Sequence, residues 1–271
     1  MRRFNLSLIV AGCLAAVSMA FSPIASASPV AVSVPNFTGA AAGIIYTSNN
    51  SMLVVNNQGQ LFSVGNASNF GSMGGKHLNE PIVGIAEDPV APGYWEVAAD
   101  GGVFAFGGAH FYGSLGGRHI NTVVVGLTPT TDGKGYWLLS NDGLVYPFGD
   151  ATSKGSNFSS SPWAVGLVPY NNNYIVVYSD GSQWLNEQQK GGYFPAIVGI
   201  DQLVGVAYHY ASGAYYAVTS TGEVLAFKAG YYETHSFVPD FPGKAMAVAI
   251  SPNGQSLSIV TIDGQVFTLT K

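Results

Sequence analysis

Three acids, Glu87, Asp88 and Asp132, stand in loops between apolar strands, where carboxylates can meet a substrate. Glycoside hydrolysis needs two carboxyl groups roughly 5 to 9 Å apart, so these three make an extracellular carbohydrate-active enzyme one reading of the chain. A second group has different chemistry. Tyr170 to Tyr174, with three asparagines, and the run Tyr208, His209, Tyr210 offer ring faces beside directional hydrogen-bonding groups, which suits sugar faces or the surface of a partner protein. A third group is cationic. Lys76-His77 returns 42 residues later as Arg118-His119, and such pairs suit a small anion or an acidic glycan. The candidate ligand contacts are therefore Tyr170, Tyr208, His209, Tyr210, Lys76, His77, Arg118 and His119, with no residue assigned as catalytic.

Other chemistries lack their motifs. The recurring Asp-Gly pairs are not calcium loops, because no D-x-D-x-D-G spacing surrounds them. Gly71-Ser72 and Gly113-Ser114 are not G-x-S-x-G elbows, and both occupy the same repeat position. No G-x-G-x-x-G, P-loop or H-E-x-x-H is present, and His77, His110, His119, His209 and His235 have no metal-ligand spacing. No metal or cofactor is expected.

The elements that carry these residues follow one unit. GYWEVAADGGVFAFGGAHFYGS, Gly93 to Ser114, returns as GYWLLSNDGLVYPFGDATSKGS, Gly135 to Ser156. The turn glycine recurs at Gly59, Gly101, Gly143, Gly181, Gly222 and Gly264. Four residues before it stands Val55, Val97, Leu139, Val177, Val218 or Val260, and three after it Phe62, Phe104, Tyr146, Trp184, Leu225 or Phe267. A period of about 40 to 45 residues built from short strands is that of a propeller blade. The sequence thus predicts an all-β propeller of six blades, or seven if a degraded blade lies in residues 185 to 203.

Each unit reads as an innermost strand (Ile82 to Ala86, Val123 to Leu127), a second strand (Tyr94 to Ala99), a hairpin and a third strand (Val103 to Phe106), then a weak fourth segment such as Phe111 to Ser114. Asp100-Gly101, Asp142-Gly143, Asp180-Gly181 and Asp263-Gly264 suggest type I′ turns, whose two central residues both need positive φ. The second strands are apolar on both faces, as expected of strands sandwiched between sheets. On this plan the basic pairs and the strand-two-to-three turns share one face, and the loops carrying Glu87, Asp132, Tyr170 and Tyr208 to Tyr210 share the other. Unit four departs from the pattern: Gln183, Asn186 and Glu187 replace apolar residues, so it is an eroded or capping blade or the seat of a grafted site. The last unit has only two residues after Leu269. The lead-in SVPNFTG, residues 33 to 39, resembles Asn69-Phe70-Gly71-Ser72 and is expected to pair with Gln265 to Leu269, closing the ring.

Residues 1 to 27 read as a secretory signal: Arg2 and Arg3, an apolar run from Leu6 to about Phe21, then Ala25-Ser26-Ala27. The run is too short for a membrane span, which needs about 20 apolar residues. Cys13 lies in a lipoprotein-like VAGC box, but apolar residues follow it where a lipoprotein has a polar tether. Residues 28 to 271 form one domain on this reading, with 28 to 40 as its candidate ring-closing strand. Loss of Arg2 and Arg3 takes the net charge from −5 to about −7 and leaves Arg118 as the last arginine, which excludes the clustered cations that nucleic acid requires. Cys13 leaves with the signal, so the core rather than disulfides must hold the fold.

The GYWEVAADGG, FAFGGA and FYGS blocks resemble a repeat family of secreted and cell-surface proteins of actinobacteria and their acid-living neighbours, in which GYWLVASDGG, FAFGDA and FYGS recur about every 42 residues. The match is closest from Gly74 to Ser156. The resemblance implies an extracellular, propeller-like domain and carries no catalytic residue. The leading expectation is a secreted or cell-surface module that binds a polysaccharide or a surface protein without catalysis. A carbohydrate-active enzyme and a structural matrix component are the alternatives.

Overall fold

The structure, a computed structural model, describes residues 29–170, 173–185, 192–194, 200–228, 231–238 and 241–270. The leader with Cys13, and Asn171, Asn172, Asn186 and Glu187, lie outside the described residues. After β1 (Val30–Ser33), unit one folds as β2 (Ala41–Tyr46), β3 (Met52–Asn56) and β4 (Leu61–Val64). Unit two follows as β5 (Ile82–Glu87), β6 (Gly93–Ala98) and β7 (Val103–Gly107), and unit three as β8 (Val124–Pro129), β9 (Gly135–Ser140) and β10 (Val145–Gly149). Unit four has β11 (Ala164–Tyr170), β12 (Asn173–Tyr178), β13 (Gln183–Leu185) and β14 (Gly192–Phe194). Unit five has β15 (Leu203–His209), β16 (Ala214–Thr219), β17 (Glu223–Lys228) and β18 (Tyr231–Phe237), and unit six β19 (Ala245–Ile250), β20 (Ser256–Thr261) and β21 (Gln265–Thr270).

Each unit is one antiparallel sheet, and β1 adds to the last in the order β1-β21-β20-β19. The innermost strands touch in a closed circuit, β2 to β5 to β8 to β11 to β15 to β19 and back to β2. The chain is a six-bladed propeller. Every residue of β6, β9 and β16 is buried, because each second strand lies between two neighbouring sheets. Six apolar cores result, one between each pair of adjacent blades: Trp95 and Val97 meet Tyr136 and Leu138 between blades two and three, and Val260 and Val266 meet Ile44 and Val54 between blades six and one.

Every innermost strand also has a register shift at its second or third residue, beside Gly43, Gly84, Gly126, Gly166, Gly205 or Ala247. The bulge bends each innermost strand near its start, and at some of these positions a side chain has little room. A Cβ on Gly166 would stand 2.6 Å from Val206 of the next blade.

The hairpins between second and third strands differ from the type I′ expectation. Gly59, Gly101, Gly143, Gly181 and Gly264 have φ of +73° to +83°, but no aspartate that precedes them is among the positive-φ residues. Instead the Gly101 N–H donates to Ala98 O at 2.8 Å and Ala98 N–H to Gly102 O at 2.8 Å, which is a type I turn followed by a left-handed glycine bulge. Asp100 keeps ordinary φ because its Oδ1 accepts the Gly102 N–H at 2.9 Å. Glycine alone bears the left-handed position.

The fourth segments of units one to three are not strands, and buried aromatic side chains hold them. The Tyr94 phenol accepts the Phe70 N–H at 2.9 Å and donates to Gly71 O at 2.7 Å. Tyr136 does the same with Tyr112 N–H (3.2 Å) and Gly113 O (2.5 Å), and Tyr174 with Lys154 N–H and Gly155 O. Trp95 and Trp137 donate to carbonyls of their own units, His110 O and Thr152 O. A buried phenol must find a partner, and here the partner is the backbone of the preceding blade. Tyr136→Phe leaves a carbonyl and an N–H without their partner and is expected to cost about 2 kcal/mol, read as a lower urea midpoint at constant slope. A midpoint equal to that of the wild type contradicts a stabilising clasp.

Gln183 has the same explanation. It stands where Val103 and Val145 stand in earlier units, is 2% exposed, and accepts the phenol of Tyr215 from the next blade. The polar residue of the divergent unit is an interblade clasp partner.

Candidate functional site

At the end of the ring where first strands turn into second strands, a cavity of about 530 Å³ opens on the axis. Its wall is formed by the C-terminal halves of the innermost strands, including Ile44, Ile85, Leu127, Leu167, Val206 and Val248, and its rim carries Glu87, Asp88, Tyr208, His209 and Tyr210. A concave site of this volume, mostly apolar with a few convergent polar groups, has the make-up of a ligand site.

Turn formation uses two of the three candidate acids. Asp88 is 6% exposed, and its Oδ1 accepts the N–H groups of Val90 (2.9 Å) and Ala91 (3.0 Å). Asp132 accepts the Thr130 hydroxyl at 3.0 Å and the Lys134 N–H at 3.3 Å, and it pairs with the exposed Lys134 ammonium at 3.5 Å. The Thr130 hydrogen bond is the main cause holding its carboxyl below the usual carboxylate range. Glu87 differs. It ends β5 at the rim, and burial pushes its pKa up to about 7, aided by the negative Asp88 and opposed by a hydrogen bond from the Ser48 backbone.

Tyr208 and Tyr210 form a corner. Their ring centroids are 4.9 Å apart with planes at 81°, an edge-to-face pair. Tyr210 reaches from blade five to blade three, where it donates to Pro129 O at 3.4 Å, while 39% of its surface stays exposed. Burial of the phenol, then Tyr208, Glu87 and Asp88, raise its pKa. His209 is a tether rather than a free ligand group: its Nδ1 is 2.7 Å from the Ser212 hydroxyl and its Nε2 is 3.0 Å from Pro252 O of blade six. The bond to a carbonyl acceptor makes Nε2 the protonated nitrogen. Its ring lies against Gly254, where a Cβ would be 2.8 Å away.

The remaining candidates lie elsewhere. Tyr170, at the end of β11, is half-buried against the core between blades four and five and is not part of the cavity wall. Lys76, His77, Arg118 and His119 are exposed at the opposite end, in matching turns closed by Lys76 N–H to Met73 O and Arg118 N–H to Leu115 O. The Lys76 ammonium sits 5.6 Å over the Phe106 ring. The structure therefore joins Tyr208, His209 and Tyr210 with Glu87 and Asp88 and separates them from the four basic residues. Among the described residues no three His, Cys, Asp or Glu side chains form a group able to hold a metal, and no helix is long and apolar enough to cross a membrane.

Sequence reading did not single out Glu96. It is fully buried in β6, with Oε2 accepting the Met73 N–H at 3.2 Å and Oε1 without a hydrogen bond. Its signal was an acid between Trp95 and Val97, where the equivalent strand has Leu138.

No protein-family model matches the chain, and no curated protein matches it in sequence. Solved structures match in fold. A chain in the crystal structure of the mitotic checkpoint complex has a TM-score of 0.63 at 12% identity, covering 100% of this chain and 99% of that one. Chaetomium thermophilum Raptor gives 0.57 at 12% identity over 87% of this chain and 28% of its own. The β-propeller domain of Myceliophteria thermophila Swd1 gives 0.54 at 11% over 85% and 82%. At these identities the likeness is one of fold, and function must come from the site.

Proposed function

We propose that this chain is a secreted or cell-surface recognition module that binds a surface glycan or a partner protein, without catalysis, at the rim of the axial cavity. The observation that carries the reading is the Tyr208–Tyr210 corner standing over a concave site beside Glu87. Aromatic corners supply contact area at low entropic cost. Catalysis by paired carboxylates asks for a second free acid, whereas Oδ1 of Asp88 and Oδ1 of Asp132 each already accept two hydrogen bonds from their own loops. The leader-like residues 1 to 27 and the resemblance to secreted repeat proteins support export. The checkpoint-complex chain, similar in fold, works within a protein assembly, in keeping with a protein ligand.

Purified protein passed over cell-wall polysaccharide and surface-protein fractions should be retained by one of them. Changing Tyr208 and Tyr210 together to Ala should weaken retention at least about tenfold with little change in melting temperature, because rim residues contribute little to the blade cores. Depolymerisation of a glycan that Glu87→Gln abolishes overturns the reading in favour of an enzyme.

A further inference from the structure

We propose that the axial mouth is a receptor for a primary ammonium, and specifically for a lysine side chain presented by a partner protein, with the Glu87 carboxylate as counter-ion and the Tyr208–Tyr210 corner as an aromatic wall. This deepens the recognition reading and rests on it. The chemistry of the rim selects the ligand. Glu87 is half-buried with a hydrogen bond from the Ser48 backbone, and among the described residues the charged or titratable groups that face it are Asp88, on its own loop, and Tyr210 with Tyr208, from blade five. Among the described side chains near this end, Lys134 pairs with Asp132, and the His209 ring is held between Ser212 and Pro252 O. Tyr46, on the neighbouring innermost strand, turns its hydroxyl to Ser258 at 2.7 Å.

A desolvated carboxyl group without a counter-charge gains most from an incoming cation, and two perpendicular rings bring an electron-rich face to the same place. An anion would meet Glu87, Asp88 and two phenol faces, all unfavourable. Lysine fits better than an amino sugar because much of the remaining rim is apolar, with Pro89, Val90, Pro92 and Pro252, and Val90 is 69% exposed. Methylene groups pack on such a surface, whereas most sugar hydroxyls would lie against carbon there.

Burial holds Glu87 near pH 7, so the carboxylate fraction, and with it the affinity, should fall on acidification. The test is a chemical-shift titration of ¹⁵N-labelled protein with Nα-acetyl-lysine N-methylamide. Saturable shifts are expected at residues 87 to 91 and 207 to 211 at pH 8, with binding at least about tenfold weaker at pH 5.5. The Nε-acetylated twin of the probe should leave the spectrum unchanged, and E87Q should remove binding at both pH values. The acetylated probe removes the charge without touching the protein, so the result stands even if E87Q fails to fold. Equal binding of the acetylated probe, a pH-independent affinity, or no shifts at the mouth at pH 8 overturns the proposal. Glucosamine shifting the same residues with affinity equal to or greater than the lysine probe places the ammonium on a sugar and overturns the lysine assignment. If the amine fails while Tyr208 and Tyr210 still govern retention on the surface fractions, only this inference falls. If both fail, the recognition reading falls with it.

Discussion

Deleting residues 29–37 is expected to lower the melting temperature by about 10 °C and to make the protein self-associate. The segment supplies the outer strand of the last blade: β1 pairs antiparallel with β21, Val30 opposite Thr268 and Ser33 opposite Gln265. Just beyond it, Val34 is buried in the core between blades six and one, and Phe37 lies over Gly264, where a Cβ would be 2.3 Å from its ring. Phe37 also packs on Phe62 of blade one at 4.8 Å. It fills at the sixth turn the place that Met73 fills over Gly59 and Leu115 over Gly101. One buried Val and a half-buried Phe contribute about 4 kcal/mol, and each kcal/mol moves the melting temperature of a domain of this size by about 2 to 4 °C. The deletion also bares β21 as an edge able to pair with another chain. An unchanged melting curve and a monomeric deletion variant contradict this account of closure.

Stability is expected to rise as pH falls from 8 to 5, opposite to a protein whose carboxylates are ion-paired. Burial of Glu96 pushes its pKa up to about 7 from an ordinary 4.5; the Met73 N–H and the more distant Lys76 only partly offset this. The folded state therefore holds the proton more tightly than the unfolded chain. The protonated form's contribution is fully present below about pH 4.5, is lost as pH rises through 4.5 to 7, and stays lost above that. A shift of that size corresponds to about 3 kcal/mol. Glu87 moves in the same direction but is half exposed, so its share is smaller. Glu96→Gln keeps an acceptor for the Met73 N–H without a titrating group. It should raise the melting temperature at pH 8 by several degrees and remove most of the pH slope. Melting that falls on acidification to pH 5, or an E96Q variant that retains the full slope, contradicts the assignment.

The blade architecture was legible because it repeats. A glycine that alone can take the left-handed bulge, with apolar residues four before and three after, fixes hairpin and register six times over. The turn type was not legible from Asp-Gly alone, since that pair serves both a type I′ turn and a type I turn with a bulge. What decides between them is the Asp100 carboxylate holding the Gly102 N–H. The recurrence of Tyr94 and Tyr136 was visible, but their purpose was not, because a phenol on one blade clasps the backbone of the one before it. The ring-closing strand lies within residues 28 to 40 as the sequence suggests, but the pairing residues are Val30–Ser33 rather than 33 to 39, and Phe37 serves as a turn cover.

At the candidate site, Tyr208, Tyr210 and Glu87 were all named from residue type. Their convergence depends on a closed ring that brings blades two, three and five to one axis, a distance relation that no local pattern encodes. The tether at His209 depends in the same way on Pro252 of the neighbouring blade.

The central claim, recognition at the axial mouth, is tested most directly by hydrogen-exchange footprinting of the protein with and without whichever surface fraction retains it. The account expects added protection at residues 87 to 92 and 206 to 211, with residues 73 to 77 and 115 to 119 at the opposite end unchanged. Protection confined to the Lys76-His77 and Arg118-His119 loops, with the axial mouth exchanging as in the free protein, would contradict it.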